Sequence, residues 1–245
     1  MSTTIIEPIV TWEKLPDDFP LPDEPEDNIS QPAIAFALTE SLELAPLIQP
    51  QILIGTNFGI CATVDGKLVI KAPDWFYVPS VLPTAPLNQN RRSYTPKLEG
   101  EIPAIVMEFL SETEGSEYSI KAKYPPGKWY YYERIIQVPI YVIFEPEAGW
   151  VEVYQLSASG QYELQQPNQN RLYWIANIGL FLGIWQGAKV NRTGYWLRWW
   201  DETGQLLLWG AERLQQEQQL RRRSQPLASR MAAKLRELNI DPETV

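Results

Sequence analysis

No histidine occurs anywhere in the 245 residues, and cysteine occurs once, at Cys61. The first absence excludes catalytic triads and zinc sites built on imidazole, and the second excludes an intrachain disulfide framework. Acid–base chemistry in this chain therefore falls to carboxylates, lysines and tyrosines. The opening "MSTTIIEPIV" has no basic segment ahead of an apolar one and does not read as a secretory signal. Long apolar runs are also missing. The best candidate, "LYWIANIGLFLGIWQGA" between Arg171 and Lys189, is shorter than the roughly 20 residues a membrane span needs and contains Asn177, Gln186 and glycines. It reads as buried strands, and the expectation is a soluble, cytoplasmic protein without a membrane partner.

The formal charge of −9 is a local feature: residues 1–50 hold ten Asp/Glu and only Lys14, and acids and bases balance in the remainder. Net charge therefore neither supports nor excludes a polyanionic partner. What is abundant is apolar and aromatic: 44% hydrophobic residues, with 10 Trp and 12 Tyr, are ample for a core.

Residues 1–32 are rich in proline and acid, as in "KLPDDFPLPDEPEDN", and read as an arm. Residues 33–47 suggest a short amphipathic helix ending before Pro50, followed by a run of strands with a hairpin signal at Asp65-Gly66. Residues 80–101 are polar, with Pro83, Pro86, Pro96 and the pair Arg91-Arg92, and are expected to be a mobile, lid-like connection. A strand over 103–110 and a helix over "GKWYYYERIIQ" (127–137) come next, then the apolar strand "VPIYVIFEP". A hairpin follows in "GWVEVYQLSASGQYEL", with another strand pair or its continuation in "YWLRWWDETGQLLLWG". One larger domain would span 33–209. Residues 210–245 read as a C-terminal helical extension whose stripe Leu227, Met231, Leu235 and Leu238, together with the Trp content of "YWLRWW", predicts a homodimer or higher oligomer. Arg221-Arg222-Arg223 reads as an exposed helix face.

One residue stands against its surroundings. Glu108 lies in "AIVMEFLS", between Ile105-Val106-Met107 and Phe109-Leu110, where an ionised carboxylate needs a partner, a metal or an exposed edge. Asp74 of "KAPDWFYV" lies 34 positions before it, and Lys128 of "GKWYYYERI" 20 positions after it.

The order Pro-Asp, then apolar-Glu-x-Leu-Ser, then Lys-x-x-x-Tyr in a helix, then an apolar strand ending in an acid and Pro resembles the Uma-two family. These are restriction-endonuclease-type proteins of the PD-(D/E)XK nuclease superfamily. The resemblance runs over about residues 55–210, including the "LGIWQG" and "LRWWDETG" segments and the Arg/Gln-rich helix of the longer, cyanobacterial-type members. It implies an α/β fold of α+β mixed-sheet type, with a restriction-endonuclease-like core, added β-hairpins and a C-terminal helical extension. It also implies DNA as substrate and places the functional positions on Asp74, Glu108 and Lys128. A strict superfamily motif has lysine two positions after the glutamate, where this chain has Leu110. The resemblance implies a lysine moved to the adjoining helix, from which a long side chain delivers the same charge.

Chemistry gives these residue types a shared task. Phosphodiester hydrolysis builds negative charge on the phosphoryl group, and a hard divalent cation held by carboxylates both neutralises it and lowers the pKa of an attacking water. Asp74 and Glu108 would hold Mg²⁺ or Mn²⁺, with the backbone carbonyl of Phe109 as a third oxygen. Lys128 would position or deprotonate the water or stabilise the pentavalent phosphorus. Lys121 and Lys123 are solvated loop charges that compete for that role, Tyr132 is the aromatic expected to support the site, and Ser111 is expected to turn the chain after the strand. The other reading is a catalytically inactive nuclease fold used to bind nucleic acid or a protein, the lost E-x-K spacing reflecting lost chemistry. The expected sheet has about five strands, with Asp74 and Glu108 on neighbours and the 127–137 helix crossing over to the strand at 139–145.

Overall fold

The computed structural model describes residues 9–13, 30–83, 91–110 and 117–237, with side chains described up to residue 224. Two compact units divide at residue 207. In the first, the order is β1 (Val10–Thr11), α1 (Ser30–Leu44), β2 (Leu53–Gly55), β3 (Ile60–Val64), β4 (Lys67–Lys71), β5 (Trp75–Val78) and β6 (Ile105–Phe109). A single helical turn, α2 (Lys128–Tyr130), then runs directly into a π-helix, Tyr131–Ile136. After it come β7 (Ile140–Glu145), β8 (Trp150–Leu156), β9 (Tyr162–Leu164), β10 (Tyr173–Ile175), β11 (Leu180–Lys189) and β12 (Arg192–Trp200).

Six strands form the main sheet in the order β2-β5-β6-β7-β8-β9, one more than expected, and two three-stranded sheets, β1-β3-β4 and β10-β11-β12, complete the set. The four buried residues of β5 and the five of β6 explain their central places, because a strand covered on both faces must be apolar throughout. β6 and β7 are parallel, in register Glu108↔Ile143, and the α2–π segment makes the crossover that a parallel pair requires. β5 lies antiparallel on the other side of β6, in register Trp75↔Met107. One face of the sheet packs Phe76, Val106, Tyr141 and Ile143 against Tyr131, Tyr132 and Ile136 of the π-helix. On the other face the Trp75 indole N–H donates to Thr39 Oγ1 of α1 at 3.0 Å.

The Asp65-Gly66 signal is a true two-residue turn: both residues have positive φ (49° and 73°) between the paired β3 and β4. The "GWVEVYQLSASGQYEL" hairpin forms as β8–β9, and the uncharged stretch before Lys189 becomes β10 and β11. "YWLRWW" continues a nine-residue β12 paired along its length with β11.

Two expectations are corrected. The helix expected over 33–47 starts at Ser30 and ends at Leu44, with Pro32 in its first turn, where a missing N–H leaves no helical bond unmade. Residues 91–101, expected to be part of a mobile lid, pack closely. Tyr94 is fully buried and its hydroxyl donates to the Glu101 carbonyl, Arg91 pairs with Glu99 at 2.7 Å, and the other Glu99 oxygen accepts the Thr95 N–H at 2.7 Å. Those bonds replace the regular ladder that the prolines deny. Residues 84–90 of that segment, and Ser111, lie outside the described residues.

Most of the expected N-terminal arm also lies outside them, but Val10 and Thr11 pair with Val64 and Thr63 of β3. In the second unit, α3 (Gly210–Glu237) opens with Glu212 accepting the Trp209 N–H at 2.9 Å, a capping contact, and Arg221–Arg223 are exposed on it. The stripe from Leu227 to Leu238 lies beyond the described side chains. Among the described residues no helix is long and apolar enough to cross a membrane.

Candidate active site

The Trp75↔Met107 register, continued by one position, sets Asp74 opposite Glu108 at the end of the β5–β6 ladder. Facing residues on antiparallel strands have Cα atoms about 4.5–5.5 Å apart. Asp74 Oδ2 accepts the backbone N–H of Phe109, the residue after Glu108, so its carboxylate is fastened to β6 at the end where Glu108 lies. Asp74 is half-buried, which leaves the pair an edge towards solvent.

Glu108 is 1% exposed, and both of its oxygens are engaged. Tyr132 donates its hydroxyl to Oε1 at 3.0 Å, and Lys128 Nζ lies 3.3 Å from Oε2. Lys128 and Tyr132 are four positions apart across the α2–π junction, and both reach the same carboxylate. Burial is the main influence on Glu108 and pushes its carboxyl up from 4.5 to about 7; Lys128 opposes the rise, Glu117 adds to it, and the Tyr132 and Lys128 hydrogen bonds oppose it. Burial thus makes Glu108 easier to protonate than a solvated carboxylate, and Lys128 works against that shift.

Lys128 is placed by Gly127. A Cβ on Gly127 would lie 2.1 Å from the Ser119 carbonyl oxygen, so only glycine lets the helix start this close to that strand of chain. The Tyr130 N–H donates to the same Ser119 oxygen at 3.3 Å and the Tyr131 N–H to the Gly127 carbonyl at 3.0 Å. At the far end Gln137 turns left-handed (φ 61°), and its N–H closes the π-helix on the Tyr132 carbonyl.

Of the residues singled out in the sequence, the structure brings together Asp74, Glu108, Phe109, Lys128 and Tyr132. Lys121 and Lys123 are exposed in the segment before Gly127, and Lys128 is the lysine that reaches Glu108. The Phe109 carbonyl accepts a 2.7 Å hydrogen bond from Gln31 Nε2 of α1, which occupies one of its two lone pairs.

Two members were not found in the sequence. Gln31 was assigned to the arm, and only its place just before Pro32, in the first turn of a proline-started helix, hints at it. Glu117 lies in the acidic loop "SETEGSE", where spacing does not distinguish it from Glu112 and Glu114. In the fold it is 1% exposed, with Oε1 3.3 Å from Lys128 Nζ and its backbone carbonyl accepting the Tyr141 hydroxyl at 3.0 Å.

The donor set is oxygen-only: two carboxylates at facing positions and the carbonyl of the residue after Glu108. That suits a hard divalent cation whose remaining ligands are water. Among the described residues no three Cys, Asp or Glu side chains converge into a metal cage, so such an ion would be held by this sparse set.

A family profile described as "Putative restriction endonuclease", Uma2, matches residues 24–186. The chain belongs to the Uma2 family. The Uma2 match begins before α1 and ends within β11, so it takes in Gln31 as well as Asp74, Glu108, Glu117 and Lys128; β12 and α3 lie beyond it. It extends further towards the N-terminus than the resemblance over 55–210 and stops earlier at the other end. The family belongs to the restriction endonuclease-like superfamily, and the mixed sheet with its helices is consistent with that fold. Comparison with curated proteins returns no match.

Proposed function

We propose that this protein is a divalent-metal-dependent endonuclease that hydrolyses phosphodiester bonds in DNA. The family makes it nuclease-like. The observation that supports the finer reading is the meeting of Asp74, Glu108 and Lys128: Asp74 is tied to the Phe109 N–H beside Glu108, and Lys128 bonds Glu108 itself.

Asp74, Glu108 and the Phe109 carbonyl would hold Mg²⁺ or Mn²⁺. The ion, when bound, supplies Lewis-acid stabilisation of the phosphoryl oxygens and a more acidic water. The chain's own residues do the rest. Tyr132 fixes the rotamer of Glu108 through Oε1, leaving Oε2 turned towards Lys128. Gln31 orients the Phe109 carbonyl from the α1 side. Lys128, its side chain 14% exposed, brings a positive charge to the rim, where it can hold a phosphate oxygen or take part in proton transfer to the attacking water. The occupied oxygens of Glu108 favour one competing reading, an inactive nuclease fold that binds nucleic acid or a protein, because a ligand must displace an existing partner there.

Incubation of single- and double-stranded DNA with the protein in Mg²⁺, Mn²⁺, Ca²⁺ or chelator decides between them. Cleavage in Mg²⁺ or Mn²⁺, little in Ca²⁺ and none in chelator is the expected pattern. DNA intact under every condition, with no shift in melting temperature on adding either metal, gives the inactive reading its place. Self-association through the α3 stripe is part of the proposal, and sedimentation of the chain with and without residues 210–245 tests it.

A further inference from the structure

One ammonium serves two buried carboxylates in this site. Lys128 Nζ is 3.3 Å from Glu108 Oε2 and 3.3 Å from Glu117 Oε1, and each glutamate is 1% exposed. Neutralising Glu108 requires only one of these contacts, and a second buried carboxylate is costly to keep. Its presence calls for a task.

Resting on the metal-dependent reading, we infer that Glu117 is a positioning residue: Lys128 gives up Glu108 and stays on Glu117 when a divalent cation takes up Glu108. In the metal-free arrangement the ammonium stands at Glu108 Oε2, an oxygen the cation needs. A flexible four-carbon stem lets the ammonium swing between two acceptors. Without Glu117, repulsion between a divalent cation and the ammonium would drive Lys128 out of the site. With Glu117 the ammonium stays beside the scissile region.

The framework suits such a transfer. Glu117 is anchored without help from Lys128: its carbonyl accepts the Tyr141 hydroxyl, and the next residue, Tyr118, stacks on Trp129 with ring centroids 6.4 Å apart and donates to Glu152 at 2.9 Å. Lys128 follows Gly127, which is pressed against Ser119, two residues after Glu117. Glu117 and Lys128 thus stand on one locked piece of chain, and Glu108 stands on another, β6. The contact that can be exchanged is the one between those pieces.

The test is Mn²⁺ binding to the full chain by calorimetry, without DNA, for the wild type, Glu117→Gln, Lys128→Met and the double variant. Glu117→Gln should weaken Mn²⁺ binding roughly tenfold, because Lys128 then clings to Glu108 alone, a coupling of ordinary size. Lys128→Met should tighten binding. In the Lys128→Met background, adding Glu117→Gln should change affinity by less than about twofold, within the additivity of independent sites. Equal losses in both backgrounds would mean that Glu117 attracts or ligates the ion directly, and would overturn the inference while leaving the metal site standing. No Mn²⁺ binding by the wild type would remove this inference and the nuclease reading together. Glu117→Asp, which keeps the charge, should retain most of the affinity. Carbon-13 NMR of the Lys128 ε-carbon, assigned by its loss in Lys128→Met, offers a check on the unaltered protein: Mg²⁺ should shift the resonance, and an unmoved signal at saturating Mg²⁺ would also overturn the transfer.

Discussion

The β5–β6–β7 centre of the main sheet and the β10–β11–β12 sheet each bury charge, in opposite ways. At the end of β6, buried Glu108 and Glu117 both bond the Lys128 ammonium, and Glu108 is pushed up to about 7. In β12 the buried charge is Arg198, also 1% exposed, with Nη2 donating to the Leu207 carbonyl at 2.8 Å and the guanidinium 5.0 Å from the Trp185 ring. Fully buried Trp196, Leu197 and Trp199 surround it in sequence. The arginine binds a strand end to a neighbouring segment through a backbone carbonyl and an aromatic face. The Glu108–Lys128–Glu117 group at β6 lies instead beside the half-buried Asp74. Buried charge alone does not mark a functional site; several ionisable side chains gathered beside a half-exposed carboxylate are the better pointer.

The comparison breaks first at activity. Glu108→Gln should lower metal-dependent cleavage by at least about a thousandfold, with circular dichroism showing the fold intact. Arg198→Met should leave the cleavage rate per folded molecule unchanged, and a comparable loss there would erase the distinction between the two regions. Next in size is Lys128→Ala, expected to cost about a hundredfold in rate, in the range of a lost acid–base or charge-stabilising group. Lys121→Ala is its control and should stay within about threefold, since phosphate attraction alone is screened at an exposed lysine. Equal losses at both lysines would reduce Lys128 to a source of field.

Stability should show the reverse ranking. Arg198→Met leaves the Leu207 carbonyl without its guanidinium partner and should cost about 1–3 kcal/mol in urea unfolding. The last effect is on the pH dependence of metal-free stability. Because the folded pKa of Glu108 is raised from 4.5 to about 7, the folded state holds more protons than the unfolded state across that window, so stability falls as pH rises through it. Glu108→Gln should flatten that slope in melting experiments, and Arg198→Met should keep it.

The Glu108 side of this division was legible in the sequence; Arg198 was not singled out there. A lone glutamate in an apolar strand asks for a partner, and Asp74, Lys128 and Tyr132 all lie where the ordered motif put them, at the end of one ladder and on one helical crossover. The turn at Asp65-Gly66 was legible because positive φ at two successive residues leaves few choices of side chain. Glu117 was not, because three acids share its loop and burial, which selects one of them, depends on Tyr141 and Lys128 arriving from elsewhere. Gln31 was hidden because its hydrogen bond spans 78 positions. The packing of residues 91–101 was misread because prolines and arginines signal a loop, while the contacts that order it are carbonyls and a glutamate facing inward. The π-helix left no trace in the apolar spacing, which fits an α-helix nearly as well.

That π-helix has a consequence for how this family can vary. A π turn holds one more residue than an α turn would over the same rise, and here the surplus lets consecutive tyrosines serve opposite clients: Tyr131 donates to the Ile60 carbonyl at 2.8 Å and Tyr132 to Glu108. Removing a single residue from 131–136 would take out that surplus and close the segment into an ordinary α turn, at the expense of one of the two tyrosine contacts. Upstream, Gly127 would keep its seat against Ser119, so the cost would fall on the Tyr131 and Tyr132 contacts. A length change is therefore far less tolerable here than a substitution. Chains that share this site should keep the number of residues between lysine and β7 fixed even where the side chains differ.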